Sequence, residues 1–349
     1  MPTVNDGRFD HDLRVGPGSR SVSIVITCYN YEQFVGEAVR SALAQSYAPV
    51  EVIVVDDAST DTSVEVVSAI PGVRLIGVPH GGQIAAMNVG FAASTGDVVL
   101  FLDADDVLEP TALAQCVAAM ADGVSKVQFR LRMVDAAGCP TGPILPRHKR
   151  IDATKFRRSS QRQGSYPTPP TTGNAFARWY LESIMPQPEV NRGDGEGLPV
   201  LLAPFFGGVI HLPAILGRYR VHGSNSVGGR SGVMMFQDRI DKGAVKAGVA
   251  ERLMADLLGI EWVAEHILRR NPIYLGWMSS LKALAPDDER VADYSLSILR
   301  LRLAWARLCD VHDSPGTRAR GALGALYGRS TRGQLPCPAR PEVASSPRI

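Results

Sequence analysis

The sequence predicts an α/β protein: a doubly wound, mostly parallel sheet, Rossmann-like, followed by a helical C-terminal region. Three observations carry this. From Val22 to Leu108, apolar β-branched runs alternate strictly with helical periodicity, the pattern of strands joined by crossover helices. Two of those runs end in acidic loops, Asp56-Asp57 and Asp103-Ala104-Asp105-Asp106, and in an open parallel sheet such loops share the carboxyl edge where ligands bind. Beyond Gly232 the apolar residues fall at spacings of three and four, as helices require.

The chain has 349 residues, 45% hydrophobic and 21% charged, with a net charge of +2. A sizeable core is available, neither global disorder nor a membrane protein is indicated, and no nucleic-acid partner is expected. Five cysteines, Cys28, Cys116, Cys139, Cys309 and Cys337, show no Cys-x-x-Cys spacing and read as free thiols of a reducing compartment. Residues 1–20 read as a flexible polar leader without the apolar core of a signal peptide. No run reaches the roughly 18 apolar residues that cross a bilayer. A cytoplasmic location is expected.

Val22 to Thr27 is the first strand, ended by Cys28-Tyr29-Asn30, and Phe34, Val35, Ala38, Val39, Ala42 and Leu43 mark a helix within residues 31–45. Val50 to Val55 is the second strand. Ser59, Thr60 and Asp61 are natural caps for a helix from about Thr62 to Ala69. Val73 to Val78 is the third strand, and His80-Gly81-Gly82-Gln83 opens a helix through Asn88 and Phe91 that stops at Gly96. The run Val98-Val-Leu-Phe-Leu is a strand buried on both faces. Asp103, Asp105 and Asp106 follow it at once. Converging carboxylates raise one another's pKa unless a cation intervenes. A divalent metal, Mg²⁺ or Mn²⁺, held by one or two of them with water and phosphate, is the economical explanation. A loop that caps the helix near Pro110 is the plain alternative.

Thr27-Cys-Tyr-Asn30, Val54-Val-Asp-Asp57 with Ala58-Ser-Thr-Asp61, Gly81-Gly-Gln83 with Asn88 and Gly90, and Phe101-Leu-Asp-Ala-Asp-Asp106 together resemble the nucleotide-sugar half of family 2 glycosyltransferases of GT-A fold. The resemblance spans about residues 21–115. It implies that Asp57 contacts the nucleotide's base, and that Asp103 and Asp105 meet ribose and a metal on the diphosphate, with Asp106 sharing that task. It also brings Thr27, Tyr29, Asn30, Gly82, Gln83, Asn88 and Ala104 to the nucleotide sugar. Where relatives often carry Arg before Asn88, this chain has Met87.

Residues 116–228 would form the acceptor half of a catalytic domain covering 21–228. Lys126 to Val134 alternates as a strand with one polar face, and Asp135 to Gly142 turns. Arg147 to Arg162 is strongly basic, either a solvated loop or a surface for phosphate or an anionic membrane. Asp194 and Glu196 stand in the glycine-rich turn Gly193–Gly197 before an apolar stretch, where a carboxylate can accept a proton from an acceptor hydroxyl. The resemblance favours Glu196 as that base, with Asp194 second. Tyr219-Arg-Val-His222 resembles the segment that closes the family's catalytic domain, which would bring His222 to the metal or diphosphate; a packed histidine is the alternative.

Residues 229–312 are expected to be helical. Leu253, Leu257, Ile260, Ala264 and Ile267, then Val291, Tyr294, Ile298, Leu301, Trp305 and Leu308, form two seams that pack back on the first domain or pair two subunits as a homodimer. Pro272 to Leu284 reads as a buried helix or as a peripheral membrane contact. Residues 313–349, rich in Pro, Gly, Ser and Arg, read as a disordered basic tail.

The expected function is transfer of a sugar from a nucleotide-diphosphate donor to a hydroxyl of a glycan or glycolipid acceptor. The resemblance implies inversion and a place in cell-surface polysaccharide or glycolipid synthesis. Two rivals stand. Val98 to Leu108 also resembles the Asp-x-Asp strand of haloacid-dehalogenase-like phosphatases, with Asp103 as nucleophile, although here three strand-helix units precede it. A non-catalytic sugar-binding protein of the same fold is the other.

Overall fold

The computed structural model describes residues 20–147, 149, 151–188, 197–223 and 232–308. Strands β1 (Val22–Cys28), β2 (Val50–Asp56), β3 (Arg74–Gly77) and β4 (Val98–Asp103) are joined by helices α1 (Val35–Leu43), α2 (Ser63–Ser68) and α3 (Gln83–Ala93). They pair in parallel in the order β3-β2-β1-β4. Because side chains alternate along a strand, Ile24, Ile26, Leu100 and Leu102 enter one core beneath α1, while Val25, Val99 and Phe101 enter a second beneath α3. Both faces of the sheet are covered, as the uninterrupted apolar strands require.

The helix α3 lies flush on the sheet because of Gly90. A Cβ there would stand 2.2 Å from Val25 Cγ1 and 3.1 Å from Val55 Cγ2. Gly90→Ala is therefore expected to cost about 1–3 kcal/mol through overpacking, read as a lower melting temperature. An unchanged melting temperature would show that the helix lifts from the sheet without penalty.

After β5 (Val107–Leu108) and α4 (Ala112–Ala119), the chain adds β6 (Val124–Val134), β7 (Pro140–Leu145), α5 (Phe156–Gln163), β8 (Asn174–Ala177), α6 (Arg178–Glu182), α7 (Gly197–Phe206) and β9 (Gly208–Arg220). The sheet continues from β4 as β8-β6-β9-β5, with β7 beside β6. Here the pairing is mixed: β8 is antiparallel to β4 and β6, and β9 is parallel to β6. Among the described residues that follow are helices α8 (Gly232–Leu258), α9 (Ala264–Leu268), α10 (Pro272–Leu284) and α11 (Leu296–Leu308).

Several expectations change. The polar face expected of β6 is buried, because β6 lies inside the sheet: Lys126 and Gln128 are fully buried, and Lys126 Nζ donates to Gln128 Oε1 and Asn174 Oδ1, both at 2.9 Å. The α3 helix stops at Ala93, not Gly96, since Ser94 is extended. Gly96 instead allows close approach to β1, and its N–H donates to Ser23 Oγ at 2.7 Å. Part of the basic stretch is helical, as α5. The first C-terminal seam is broken at Gly259, whose φ of +60° ends α8. In α11 the residues that pack on Leu275, Met278 and Leu281 are Leu299 and Leu303, while Ile298, Leu301 and Trp305 face outward. Cys28 and Cys116 are buried free thiols, but half-buried Cys139, on an exposed turn, is disulfide-bonded, contrary to the expectation of free thiols throughout. Among the described residues, no helix is long and apolar enough to cross a membrane.

Candidate active site

Parallel register sets Thr27 beside both Val55 and Asp103, so the loops after β1, β2 and β4 meet on one edge. Asn30 ties two of them together. In the left-handed region at φ 57°, it accepts Thr60 N–H on Oδ1 at 2.7 Å, and its own N–H donates to Ser59 Oγ at 2.9 Å. Asp57 is 3% exposed. Its Oδ1 accepts Gly81 N–H at 2.7 Å and its Oδ2 accepts Gly82 N–H at 2.9 Å, with His80 Nδ1 3.0 Å from Oδ2. A carboxylate oxygen accepts two hydrogen bonds, so Oδ1 keeps capacity for another donor. Over this carboxylate loop, Tyr29 is exposed with its ring 4.5 Å from that of His80, a platform on which a planar base can stack.

Asp103 ends β4 and turns into Ala104-Asp105-Asp106, closed by Asp106 N–H donating to Asp103 C=O at 3.0 Å. Gln83, first residue of α3, donates from Nε2 to Asp103 Oδ1 at 2.9 Å. Asp105 Oδ2 lies 3.0 Å from His222 Nε2, both side chains nearly buried. The imidazole is held between Phe34, at 4.5 Å between ring centres, and the edge of Tyr31, at 5.9 Å. Asp106 turns inward: it is fully buried, and its oxygens accept Thr172 Oγ1–H at 2.5 Å and Arg220 N–H at 2.8 Å. The Arg220 guanidinium donates to Asp105 C=O at 2.8 Å, to Ala136 C=O at 3.0 Å and to Glu37 at 2.6 Å. It locks the turn to the end of β9.

Burial, then the Asp105 carboxylate, pushes Asp103 up to about 7 against the hydrogen bonds of Thr171 and Gln83. Burial, then Asp105 and Asp103, raises Asp106 well above the usual range. His222 is lowered by burial and then by Arg220, which favours the neutral imidazole that binds metals. Burial and the neighbouring aspartates raise Tyr31, so it keeps its proton.

The edge thus gathers Thr27, Tyr29, Asn30, Asp57, Gly82, Gln83, Asp103, Asp105 and His222, with the Ala104 methyl buried in the core beneath it. Asn88 is elsewhere: its side chain donates to Gln187 C=O at 2.9 Å and accepts Gln187 N–H at 2.8 Å. Met87 is buried in the core and offers the diphosphate nothing. Asp194 and Glu196 lie outside the described residues, directly before α7. Sequence reasoning passed over Thr172, His80, Phe34 and the clamping role of Arg220. The available signals were the Thr171-Thr172 pair within Pro167-Thr-Pro-Pro-Thr-Thr-Gly173 and the Arg within Tyr219-Arg-Val-His222.

Among the described residues, no three His, Cys, Asp or Glu side chains converge in a metal-holding geometry. The Asp105–His222 pair nonetheless fits a divalent ion that takes its remaining ligands from a diphosphate and water, as Mg²⁺ and Mn²⁺ do in nucleotide sites. An imidazole in the set suits Mn²⁺ better than Mg²⁺. Asp106, with both oxygens bonded inside the protein, is placed behind this pair and not beside it.

A curled, mostly parallel sheet covered by helices, with its acidic loops on one edge, defines a GT-A glycosyltransferase fold. A mannosyltransferase of Pyrobaculum calidifontis, solved in complex with GDP-Man and Mn²⁺, superposes with a TM-score of 0.51 at 20% identity, covering 91% of each chain, which bears on the fold alone. Residues 23–180 match the model for glycosyl transferase family 2, and that stretch of the chain is of that family. An uncharacterised glycosyltransferase of Nostoc sp. is 32% identical over 212 residues, 59% of this chain and 66% of that protein. Chondroitin synthase of Pasteurella multocida is 37% identical over 100 residues, 28% of this chain and 10% of that protein. The chain thus spans less than two thirds of the length of these relatives. The family assignment displaces the phosphatase alternative.

Proposed function

We propose that the protein transfers a sugar from a nucleotide-diphosphate donor to a hydroxyl of a glycan or glycolipid acceptor, with inversion and with a divalent metal. The observation that carries this reading is the 3.0 Å Asp105–His222 pair on the same sheet edge as Asp57 and the Tyr29–His80 platform. The base stacks on Tyr29 and donates to Asp57 Oδ1. Asp103, steered by Gln83, meets the ribose, and Asp105 with His222 holds the metal. That ion supplies charge neutralisation for the departing diphosphate. Glu196, with Asp194 as second candidate, takes the acceptor's proton as its oxygen bonds the anomeric carbon opposite the breaking bond to the diphosphate. Attack from that face inverts the centre.

Assembly of cell-surface polysaccharide or glycolipid is the proposed context, supported by the name of the Pasteurella relative. A cytoplasmic setting belongs to the same proposal, although bonded Cys139 no longer argues for it. The test is nucleotide release from a panel of UDP- and GDP-sugars with Mn²⁺ and with EDTA. Mn²⁺-dependent release from one donor class supports the reading; none from any donor counts against it.

A pH dependence follows from the raised carboxyl groups. Asp103 is not one of the metal's holders in this reading, but its carboxyl is within electrostatic reach of Asp105 and without metal is half protonated at about 7; only its ionised form attracts the neighbouring cation. Mn²⁺ affinity should therefore fall as pH drops through about 7, with proton release on binding. Calorimetry in two buffers of different ionisation enthalpy measures this, and a pH-independent affinity without proton release would contradict it.

A further inference from the structure

Between α5, α9 and α11 lies a cleft of about 640 Å³ lined by Arg158, Arg162, Arg269, Arg270, Arg302 and Trp305. Elsewhere several arginines meet acids, as Arg218 and Arg220 do Glu37, Arg290 Asp241 and Asp288, and Arg20 Asp122, and others are taken up by backbone carbonyls, as Arg74, Arg130 and Arg178 are. Of the five cleft arginines, Arg269 alone has a carboxylate partner among the described residues, Glu265 one turn back on the same stretch of chain. Neither α5 nor α11 contains an Asp or Glu. Guanidinium groups gathered around one cleft repel one another, and an anionic partner reverses that cost.

The second observation is apolar. On the outward face of α11, Ile298, Leu301 and Trp305 are 48%, 60% and 69% exposed, at helical spacing and with Arg302 one residue beyond Leu301. Arginine beside exposed Trp and Leu on one helix face is the composition of helices that lie in a membrane interface. A soluble anion accounts for the arginines but leaves the indole and two aliphatic side chains in water. An anionic phospholipid surface accounts for both, with phosphates on the guanidinium forks and Trp305 at headgroup depth.

We propose that this cleft and the outer face of α11 dock the protein on an anionic phospholipid surface. The contact is peripheral, and it stands independently of the sugar-transfer reading.

The test is co-sedimentation of the full-length protein with phosphatidylcholine vesicles, with and without phosphatidylglycerol. Binding is expected only with phosphatidylglycerol and should weaken as salt rises. Arg158→Glu with Arg302→Glu should weaken it at least about thirtyfold, and Trp305→Ala should weaken it further. Melting temperature and nucleotide binding should hold in all variants, which separates this docking from the donor site. The proposal is overturned if wild-type protein ignores phosphatidylglycerol, or if the charge-reversed variant binds like wild type. It is likewise overturned if inorganic phosphate at the lipid-phosphate concentration displaces the vesicles, or if Trp305→Ala dissolves a dimer that binds no vesicles.

Discussion

Asp105→Asn is expected to lower sugar transfer by about a thousandfold, because charge stabilisation of a leaving diphosphate by a bound metal contributes several kcal/mol. The variant keeps the shape of the turn, since Arg220 holds the Asp105 carbonyl and not its carboxylate. It removes the negative charge facing His222 Nε2. The melting temperature should therefore stay near wild type while Mn²⁺ affinity collapses. Transfer that persists at wild-type rate in Mn²⁺ would mean that the Asp105–His222 pair holds no metal and serves only to position the loop.

The second large effect is expected at Glu196. Removing a general base costs about 10²–10⁴ in rate, so Glu196→Gln should reduce kcat by that factor and leave nucleotide affinity unchanged. Asp194→Asn is the comparison. If it carries the loss and Glu196→Gln does not, the base is Asp194 and the glycine-rich turn presents its other carboxylate. If both variants turn over normally, neither residue activates the acceptor.

The first four strands were legible because their code is local. Val98 to Leu102 is apolar at every position, which only a strand covered on both faces tolerates, and β4 is such a strand. The acidic edge was legible for a related reason: Asp57 directly follows parallel strand β2 and Asp103 ends parallel strand β4, and parallel pairing aligns such ends without further information. What sequence missed was set by distant pairing. Lys126 and Gln128 read only as one polar face of a strand, because alternation does not reveal that β8 and β9 would flank β6 and bury it. Asp106 read as a metal ligand beside Asp105, but Thr172 and the backbone of Arg220, 66 and 114 residues away, turn it into the interior. In α11, two interleaved apolar sets satisfy the same three-four spacing, and contact with α10 selected Leu299 and Leu303. Nothing within the helix itself distinguishes that choice from the one that buries Trp305.

The central claim is a metal-dependent nucleotide site on the Asp57–Asp105 edge, and calorimetric titration with UDP and GDP, each with Mn²⁺ and with EDTA, tests it most directly. The account predicts that one nucleotide binds in Mn²⁺, that EDTA abolishes the binding, and that Asp57→Ala and Asp105→Asn each weaken it. Absence of binding by either nucleotide, or binding indifferent to EDTA and to both substitutions, would contradict it.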